Sequence, residues 1–222
     1  MDSRKQTLRP TVMGGSVLGI KYDNGVLLAA DTLGSYGSLL RYRDIERLNR
    51  LNDHVGLAFA GDIADAQFIQ RVLEQLNIDD QVANDGSYLN GRAVHTWLTR
   101  VLYNRRCDIN PLYNIIAVGG FDNGRPFLGY VNYLGLAFED DLVSSGYGSH
   151  IALPIMRKAI EDKGSLLNRE ESVQLLNKCL TILYYRDAQS WNNYHIMNID
   201  ASGVEISPKQ TLIGNWDVAN MI

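Results

Sequence analysis

Few residues of this chain have the types and spacing that catalysis or metal binding requires. Its two cysteines, Cys107 and Cys179, form no Cys-x-x-Cys motif, and two cysteines are too few for a disulfide framework. The four histidines share no spacing typical of metal ligands: His54, His95, His150 and His195. We therefore expect no metal and no cofactor, and we interpret both cysteines as reduced, buried thiols.

Two short charged segments remain as candidates for a functional role. Residues 41–44 read Arg-Tyr-Arg-Asp, which is typical either of a solvated surface with aromatic packing or of a subunit contact, since Tyr and Arg are enriched at interfaces. Arg186 and Asp187 are adjacent, and a solvated pair of this kind contributes little to stability. Neither segment by itself predicts a reaction.

Composition excludes several classes of protein. The 222 residues are 45% hydrophobic and 21% charged, so the chain can bury a core and is not intrinsically disordered. A net charge of −4 gives no electrostatic footprint for nucleic acid. No apolar run is long enough to span a bilayer, and the polar first residues do not resemble a secretory signal. We expect no nucleic-acid or membrane partner and an intracellular, reducing compartment.

Strand patterns occupy three separate stretches of the chain. Two hairpins are predicted where Asp-Asn-Gly, at residues 23–25 and 122–124, joins apolar runs, because Asn and Gly tolerate positive φ. Their strands are predicted at residues 16–22, 26–31, 113–119 and 127–134. Further strands are predicted at residues 55–60, 194–199 and 204–207.

Four helices are predicted between these strands from apolar stripes with a 3.6-residue period. The first stripe follows Gly61 and comprises Phe68, Ile69, Val72, Leu73 and Leu76. The second follows Gly91 and comprises Val94, Trp97, Leu98, Val101 and Leu102. The third comprises Ala152, Ile155, Met156, Ala159 and Ile160, and Pro154 leaves its start open. The fourth opens at a capping box formed by Asn168 and Glu171.

The order is strands, two helices, strands, two helices, strands. Grouped runs of this kind favour an α+β fold with antiparallel sheets, and no linker or repeat divides the chain. Several strands lack a polar face, which indicates that they are buried on both sides. Two sheets packed face to face with helices outside would explain this pattern.

Four motifs, in order along the chain, resemble those of proteasome beta-type subunits. They are Gly-Val-Leu-Leu-Ala-Ala-Asp at residues 25–31, Ala-Gly-Asp at 60–62, Gly-Tyr-Gly at 146–148 and Tyr-Arg-Asp-Ala-Gln-Ser at 185–190. The similarity runs from about Ser16 to the C-terminus. It implies the four-layer αββα sandwich of N-terminal nucleophile hydrolases, with two antiparallel sheets between helix layers. Within the family, segments resembling the non-catalytic beta-7, or type-4, branch are residues 33–39, 97–100, 103–106, 110–112, 183–188 and 215–217.

The resemblance also implies that the chain is catalytically inert. Active members attack the peptide carbonyl with an N-terminal threonine, whose α-amine takes the proton; an aspartate follows sixteen residues later, and a lysine sixteen after that. Asp31 matches the aspartate, but Gly15 and Arg47 stand where the threonine and lysine are expected. Glycine has no hydroxyl, and arginine does not exchange its proton near neutrality. A shifted register with Ser16 or Thr11 as nucleophile would still meet Arg47.

Three further positions align with residues that support catalysis in active members. Gly61 matches the glycine whose amide stabilises the oxyanion, although a tight turn also requires glycine. Asp187 and Ser190 match residues that brace the threonine. In an inert site we expect them to hydrogen-bond the turn after the last helix.

The resemblance implies a non-catalytic structural subunit of the beta ring of the 20S proteasome core, which supports assembly of the particle that degrades ubiquitin-tagged proteins. The alternatives are an active threonine peptidase subunit and a free-standing amidase. Implied partners are the other alpha and beta subunits in stacked seven-membered rings, and the opposite beta ring through the C-terminal end. The implied location is cytoplasm and nucleus.

The two ends of the chain carry their own expectations. Residues 1–14 are interpreted as an N-terminal extension or short propeptide, and residues 15–222 as a single beta-type domain. Because residues 1–14 have few large apolar side chains, we expect them to run over a surface, with any trimming near Thr7 done by a neighbouring subunit. At the other end we expect Trp216 to be packed.

Overall fold

The computed structural model describes residues 9–83, 86 and 88–217. That part of the chain contains four helices: α1 Ile63–Ala83, α2 Gly91–Cys107, α3 Gly148–Lys163 and α4 Arg169–Arg186. It also contains fourteen strands: β1 Val12–Gly14, β2 Val17–Tyr22, β3 Gly25–Asp31, β4 Gly34–Tyr36, β5 Leu39–Tyr42, β6 Leu48–Arg50, β7 Val55–Asp62, β8 Asn114–Asp122, β9 Arg125–Asn132, β10 Ala137–Glu139, β11 Leu142–Ser144, β12 Asn193–Asp200, β13 Gly203–Ile206 and β14 Gln210–Thr211.

The strands form two antiparallel sheets. Sheet A has eight strands in the order β10-β9-β8-β7-β1-β4-β5, with β6 paired to β7. Sheet B has six strands in the order β11-β2-β3-β12-β13, with β14 paired to β12. Sequence neighbours pair in both sheets, which is typical of sheets built largely from hairpins.

Sheet B is buried on both faces, because alternate side chains of its strands pack into two hydrophobic clusters, one on each side of the sheet. Along β3, Leu27 and Ala29 pack with α3 and α4. Val26, Leu28 and Ala30 point the other way and pack against sheet A. Successive side chains of a strand point to opposite faces, so a strand between two apolar layers is apolar throughout.

Sheet A shows the same alternation with the other pair of helices. Leu57 and Phe59 of β7 pack with α1 and α2, whereas Ala58 and Ala60 face sheet B. The layers are therefore α1/α2, sheet A, sheet B and α3/α4. This confirms the predicted α+β, four-layer αββα sandwich with two antiparallel sheets between helix layers.

The predicted turns and caps are present. Tyr22 pairs with Gly25 and Asp122 pairs with Arg125, so both Asp-Asn-Gly segments lie at hairpin turns. The capping box of α4 is complete: the Asn168 side chain accepts a hydrogen bond from the Glu171 backbone N–H, and the Glu171 carboxylate accepts one from Asn168 N–H. These features depend on neighbouring residues only, which is why local sequence predicts them.

Some predicted positions within helices and near the C-terminus are wrong in detail. Phe68 is 50% exposed, because it precedes the buried Ile69 by about 100° of helix rotation. Trp97 is only half-buried. Pro154 lies inside α3, which begins earlier, at Gly148. Trp216 is 52% exposed, so its packing is limited to aromatic edge contacts.

The N-terminal segment also differs from the expectation. Residues 12–14 form β1, which lies within sheet A between β4 and β7 and does not run over a surface. Strand pairing uses backbone groups, so a segment with few large side chains can still enter a sheet. Residues 1–8, including Thr7 and its predicted trimming site, lie outside the described residues.

Candidate functional site

The residues of the predicted site lie close together where the two sheets meet. Gly15 links β1 of sheet A to β2 of sheet B, and Asp31 is the last residue of β3. Arg47 directly precedes β6, and Gly61 lies in β7 before α1 begins. Asp187 caps the end of α4. Antiparallel pairing and the four-layer packing bring these separate positions to one end of the molecule.

Arg47 is the centre of this site. Its side chain has no exposed surface, and it forms an ion pair with the Asp31 carboxylate. Its Nε donates to Asp31 O at 2.9 Å, its Nη1 to Gly15 O at 2.9 Å, and its Nη2 to Ser16 O at 3.1 Å. Nη1 also lies 3.4 Å from Phe59 O. The planar guanidinium thus ties β3 and the start of β2 to β7, which a lysine with its single ammonium could not reproduce.

Asp31 is satisfied on both carboxylate oxygens. Oδ1 accepts from Arg47, and Oδ2 accepts from the backbone N–H of Trp191 at 2.8 Å. Burial raises the pKa of the Asp31 carboxyl, and the Arg47 guanidinium and the Trp191 N–H oppose that rise. Asp31 and Arg47 therefore form a buried structural ion pair whose side chains are both hydrogen-bonded within the protein.

Gly15 offers neither a nucleophile nor room for one. A Cβ at this position would lie 2.9 Å from Gln189 O, a backbone atom, and 4.0 Å from the Asp187 carboxylate. At the preceding Gly14, a Cβ would lie 2.6 Å from Arg47 Cδ. The Arg47 side chain and the loop after α4 therefore fill the space around this link.

Asp187 and Ser190 hold the turn that follows α4. The Asp187 carboxylate accepts from Gln189 N–H at 2.9 Å. The Ser190 hydroxyl lies 2.8 Å from Asp187 O and 3.2 Å from Leu183 O, to which it donates. These bonds satisfy groups at the helix terminus, and none of them reaches Gly15.

Gly61 is required by its backbone conformation. Its φ is +101°, a region that residues with a Cβ rarely adopt, and a Cβ would lie 2.1 Å from Tyr113 O. The structure thus supports the turn interpretation of this glycine.

The hydroxyls of Ser16 and Thr11, the two alternative nucleophiles, form hydrogen bonds with other groups. Ser16 is buried, and its Oγ accepts a hydrogen bond from Gly148 N–H at 3.0 Å. The Thr11 hydroxyl is exposed and donates to Arg9 O at 3.3 Å. Neither hydroxyl is hydrogen-bonded to a general base in the described structure.

Sequence reasoning missed the backbone partners of the site, namely Trp191 N–H and the carbonyls of Phe59 and Gln189. Backbone atoms carry no residue-specific signal, so only the folded arrangement identifies them. Within the described ranges, no three His, Cys, Asp or Glu side chains are grouped as metal ligands. In the same ranges, no helix is apolar enough over sufficient length to cross a membrane.

The two antiparallel sheets between helix layers are those of an α+β sandwich of the N-terminal nucleophile hydrolase type. Comparison with known proteins identifies the family. A model of the family described as proteasome subunit matches residues 11–199. The chain therefore belongs to the proteasome subunit family.

Similar proteins within the family carry beta-type names. Proteasome subunit beta type-4 of Xenopus laevis is 45% identical over 218 residues, which cover 98% of this chain and 90% of that protein. The beta type-4 subunit of Arabidopsis thaliana is 42% identical over 99% of this chain and 88% of its own length. Proteasome subunit beta type-7 of Saccharomyces cerevisiae is 38% identical over 97% of this chain and 85% of its own length.

Proposed function

We propose that the chain is a non-catalytic structural subunit of the beta ring of the 20S proteasome core. The observation that supports this proposal is the Arg47 guanidinium, which donates to the carbonyls of Gly15, Ser16 and Asp31 at the position where the resemblance implies a catalytic lysine. Its function at this position is to stabilise the chain in a site that has lost its nucleophile.

Two chemical arguments favour an inert subunit over an active peptidase subunit. A guanidinium has no acceptor and keeps its proton at all physiological pH values, so Arg47 cannot take part in proton transfer. Gly15 is followed by a buried serine whose hydroxyl is already an acceptor for Gly148 N–H. Acyl transfer requires a nucleophile beside a base, and neither the Ser16 nor the Thr11 hydroxyl is hydrogen-bonded to one in the described structure.

Exposed apolar side chains support a role in assembly. They lie near both edges of sheet A: Tyr36, Leu39 and Tyr42 at the β4–β5 edge, and Tyr133, Leu134, Leu136 and Phe138 at the β9–β10 edge. Each of these side chains is at least 36% exposed. Clusters of aromatic and aliphatic residues on a surface are typical of protein interfaces. Ring subunits need two different contact faces, and these edges provide candidates for them.

The proposed partners are the other alpha and beta subunits of stacked seven-membered rings, with the C-terminal end reaching the opposite beta ring. Support comes from family membership and from the beta-type names of the relatives. We place the particle in cytoplasm and nucleus, where ubiquitin-tagged proteins are degraded. Nothing in the net charge of −4 favours a nucleic-acid partner.

A labelling experiment tests both parts of the proposal. The full-length chain is epitope-tagged in its own cells, and the assembly that co-purifies is sized and treated with a threonine-directed electrophile. We expect a particle of hundreds of kilodaltons, far above the 24.9 kDa of the chain alone. Intact mass spectrometry should then show adducts on catalytic subunits and none on this chain.

The two readouts fail independently. A tagged chain that remains a monomer would contradict the ring assignment, whatever its reactivity. An adduct on this chain within an intact particle would contradict only its inertness. The catalytic subunits of the same particle provide the internal control for an active reagent.

A further inference from the structure

Three Asn-Gly sequences occur in this chain, at residues 24–25, 90–91 and 123–124. In an Asn-Gly sequence the asparagine side chain readily loses ammonia, because the following backbone nitrogen can attack the side-chain carbonyl carbon and glycine has no Cβ to obstruct it. The attack requires that the asparagine side chain and the glycine N–H are both free to move. The fold constrains these two groups very differently at the three positions.

The backbone of the first Asn-Gly sequence is held by strand pairing. The β2–β3 turn consists of Asp23 and Asn24, so Gly25 is already the first residue of β3 and pairs with Tyr22 of β2. Residues that flank a two-residue turn exchange backbone hydrogen bonds, so the N–H of Gly25 is part of the ladder. Gly25 is also buried, and a Cβ on it would lie 2.6 Å from the Tyr22 hydroxyl oxygen and 2.4 Å from Ile199 O.

The second Asn-Gly sequence is held at the start of α2. The Asn90 side chain caps this helix, since its Oδ1 accepts a hydrogen bond from Ala93 N–H at 2.9 Å. Gly91 is buried, and a Cβ on it would lie 2.9 Å from Phe127 Cδ1 and 3.2 Å from Gly120 Cα. Attack of the glycine nitrogen on the Asn90 side chain would therefore break the helix cap and disturb the packing around it.

The third Asn-Gly sequence is constrained in neither way. Asn123 and Gly124 are exposed and form the β8–β9 turn, with φ of +49° and +74°. Apart from its chain neighbours, nothing lies within 4 Å of the place where a Cβ on Gly124 would be. Within the part of the chain that the structure describes, the Gly124 N–H and the Asn123 side chain have no hydrogen-bond partner.

We propose that Asn123 is a site of spontaneous deamidation, at which the folded chain reacts faster than at its other two Asn-Gly sequences. Gly124 N forms a bond to Asn123 Cγ, and the side-chain NH2 leaves with the proton of Gly124 as ammonia, which gives a cyclic succinimide. Water then opens the ring at either carbonyl and leaves aspartate or isoaspartate at position 123. The reaction consumes one water, releases one ammonia and changes no oxidation state.

The proposed modification site lies away from the residues around Arg47. Asn123 directly follows β8, and Asn114 at the other end of this strand pairs with Gly61. Deamidation at Asn123 is therefore independent of the proposed function in the beta ring.

Both products change the surroundings of Asp122. This carboxylate accepts a hydrogen bond from the Tyr88 hydroxyl, and its Oδ2 lies 3.5 Å from Asn90 Nδ2. Either product places a second negative charge next to Asp122. Isoaspartate also adds the side-chain methylene to the backbone of a two-residue turn, whose length sets the register of the two strands. We therefore expect isoaspartate to loosen this hairpin more than aspartate does.

Peptide mapping of the aged chain tests the proposal. The full-length chain, in whatever assembly it forms, is incubated at mildly alkaline pH and then digested at acidic pH, which suppresses deamidation during digestion. Product at Asn123 should form roughly tenfold faster than at Asn24 or Asn90, as the hydrogen bond that must break at each of those positions predicts. In the urea-unfolded chain the three rates should be similar, because all three sequences are Asn-Gly.

Two variants separate the chemistry from its effect on the hairpin. Asn123→Gln should form no product at this position over the same period, because a glutamine side chain must close a larger ring. Freshly purified Asn123→Asp carries the new charge without the longer backbone. Hydrogen exchange of residues 122–127 should be faster in the aged isoaspartyl chain than in the unaged chain, and Asn123→Asp should stay near the wild-type rate.

Three outcomes would overturn the proposal. In the first, the folded chain gives no product at position 123 under conditions in which the unfolded chain reacts there. In the second, the folded chain reacts at equal rates at all three Asn-Gly sequences, so the fold does not select among them. In the third, the isoaspartyl chain and Asn123→Asp show the same hydrogen exchange in residues 122–127, which would contradict the effect of a longer backbone on the turn.

Discussion

Asp31 and Arg47 form a buried ion pair in which the guanidinium also caps the backbone carbonyl of Asp31 itself. The Arg47 side chain therefore binds both the carboxylate and the backbone carbonyl of Asp31. It fixes the end of β3 against β7, the strand that contains Phe59. This relationship stabilises the fold where β3 ends between the two sheets.

Removing the charge at Arg47 should be strongly destabilising. Arg47→Met keeps much of the side-chain volume but leaves the Asp31 carboxylate buried without its cation. We expect a loss of about 3–5 kcal/mol in the free energy of unfolding, as for other broken buried pairs. Urea unfolding of the full-length chain measures it. The matched control is Arg50→Met, which breaks the exposed pair with Asp53 and should cost at most about 1 kcal/mol. Equal losses in the two variants would contradict a structural function for Arg47.

A threonine at position 15 alone should not create activity. In a Gly15→Thr variant Arg47 remains, which cannot exchange its proton near neutrality, and the threonine nitrogen stays in a peptide bond to Gly14. The new Cβ must also avoid Gln189 O, which lies 2.9 Å from its ideal position. We expect no adduct with a threonine-directed electrophile by intact mass. An adduct mapped to residue 15 would show that the surrounding loop adapts more readily than this geometry predicts.

Two glycines with positive φ should tolerate alanine very differently. Gly61 has φ +101° and no space, since a Cβ would lie 2.1 Å from Tyr113 O. Gly37 has φ +57° and nothing within 4 Å of the same position. Gly37→Ala should cost about 1 kcal/mol from backbone strain, and Gly61→Ala should cost more than about 3 kcal/mol or prevent folding. Thermal unfolding compares them, and similar costs would refute the close approach at Gly61.

The C-terminal end should matter for pairing of half-particles more than for folding. Trp216 makes edge contacts with Tyr184 and Tyr185, and Asn215 N–H donates to the Tyr185 hydroxyl at 2.6 Å. Asn215 and Trp216 are themselves exposed, so deleting residues 215–222 should leave the subunit folded. Native electrophoresis of the deletion strain should show half-particles accumulating. Tyr185→Phe, which loses only the hydroxyl, is the milder comparison. Undiminished full particles would show that this end is dispensable for pairing.

Tyr22 should contribute to loss of stability at alkaline pH. Burial raises its pKa from 10.0 to about 12, and its hydroxyl donates to Asn198 Oδ1 at 2.8 Å. Because the folded state favours the neutral phenol, this contribution is complete below pH 10 and disappears as pH rises towards 12. Tyr22→Phe should flatten the dependence of the unfolding midpoint on pH in that window. An unchanged slope would mean that Tyr22 titrates alike in folded and unfolded chains.

Local sequence was sufficient for much of the fold. Hairpins at Asp-Asn-Gly, the capping box at Asn168 and the amphipathic stripes each depend on residues close together in the chain. The shorter strands β4, β5, β6, β10, β11 and β14 have two to four residues each and were not predicted, because too few residues alternate for a pattern to emerge. Strand β1 was missed for the same reason.

For the site, the sequence by itself determined that residue 15 offers no hydroxyl, because glycine has none in any fold. It also determined that Arg47 cannot exchange protons near neutrality, because that follows from the guanidinium. Only the tertiary structure decided what Arg47 does instead and where β1 lies. Both depend on backbone carbonyls and N–H groups brought together from distant strands, and these groups are the same in every residue until folding places them.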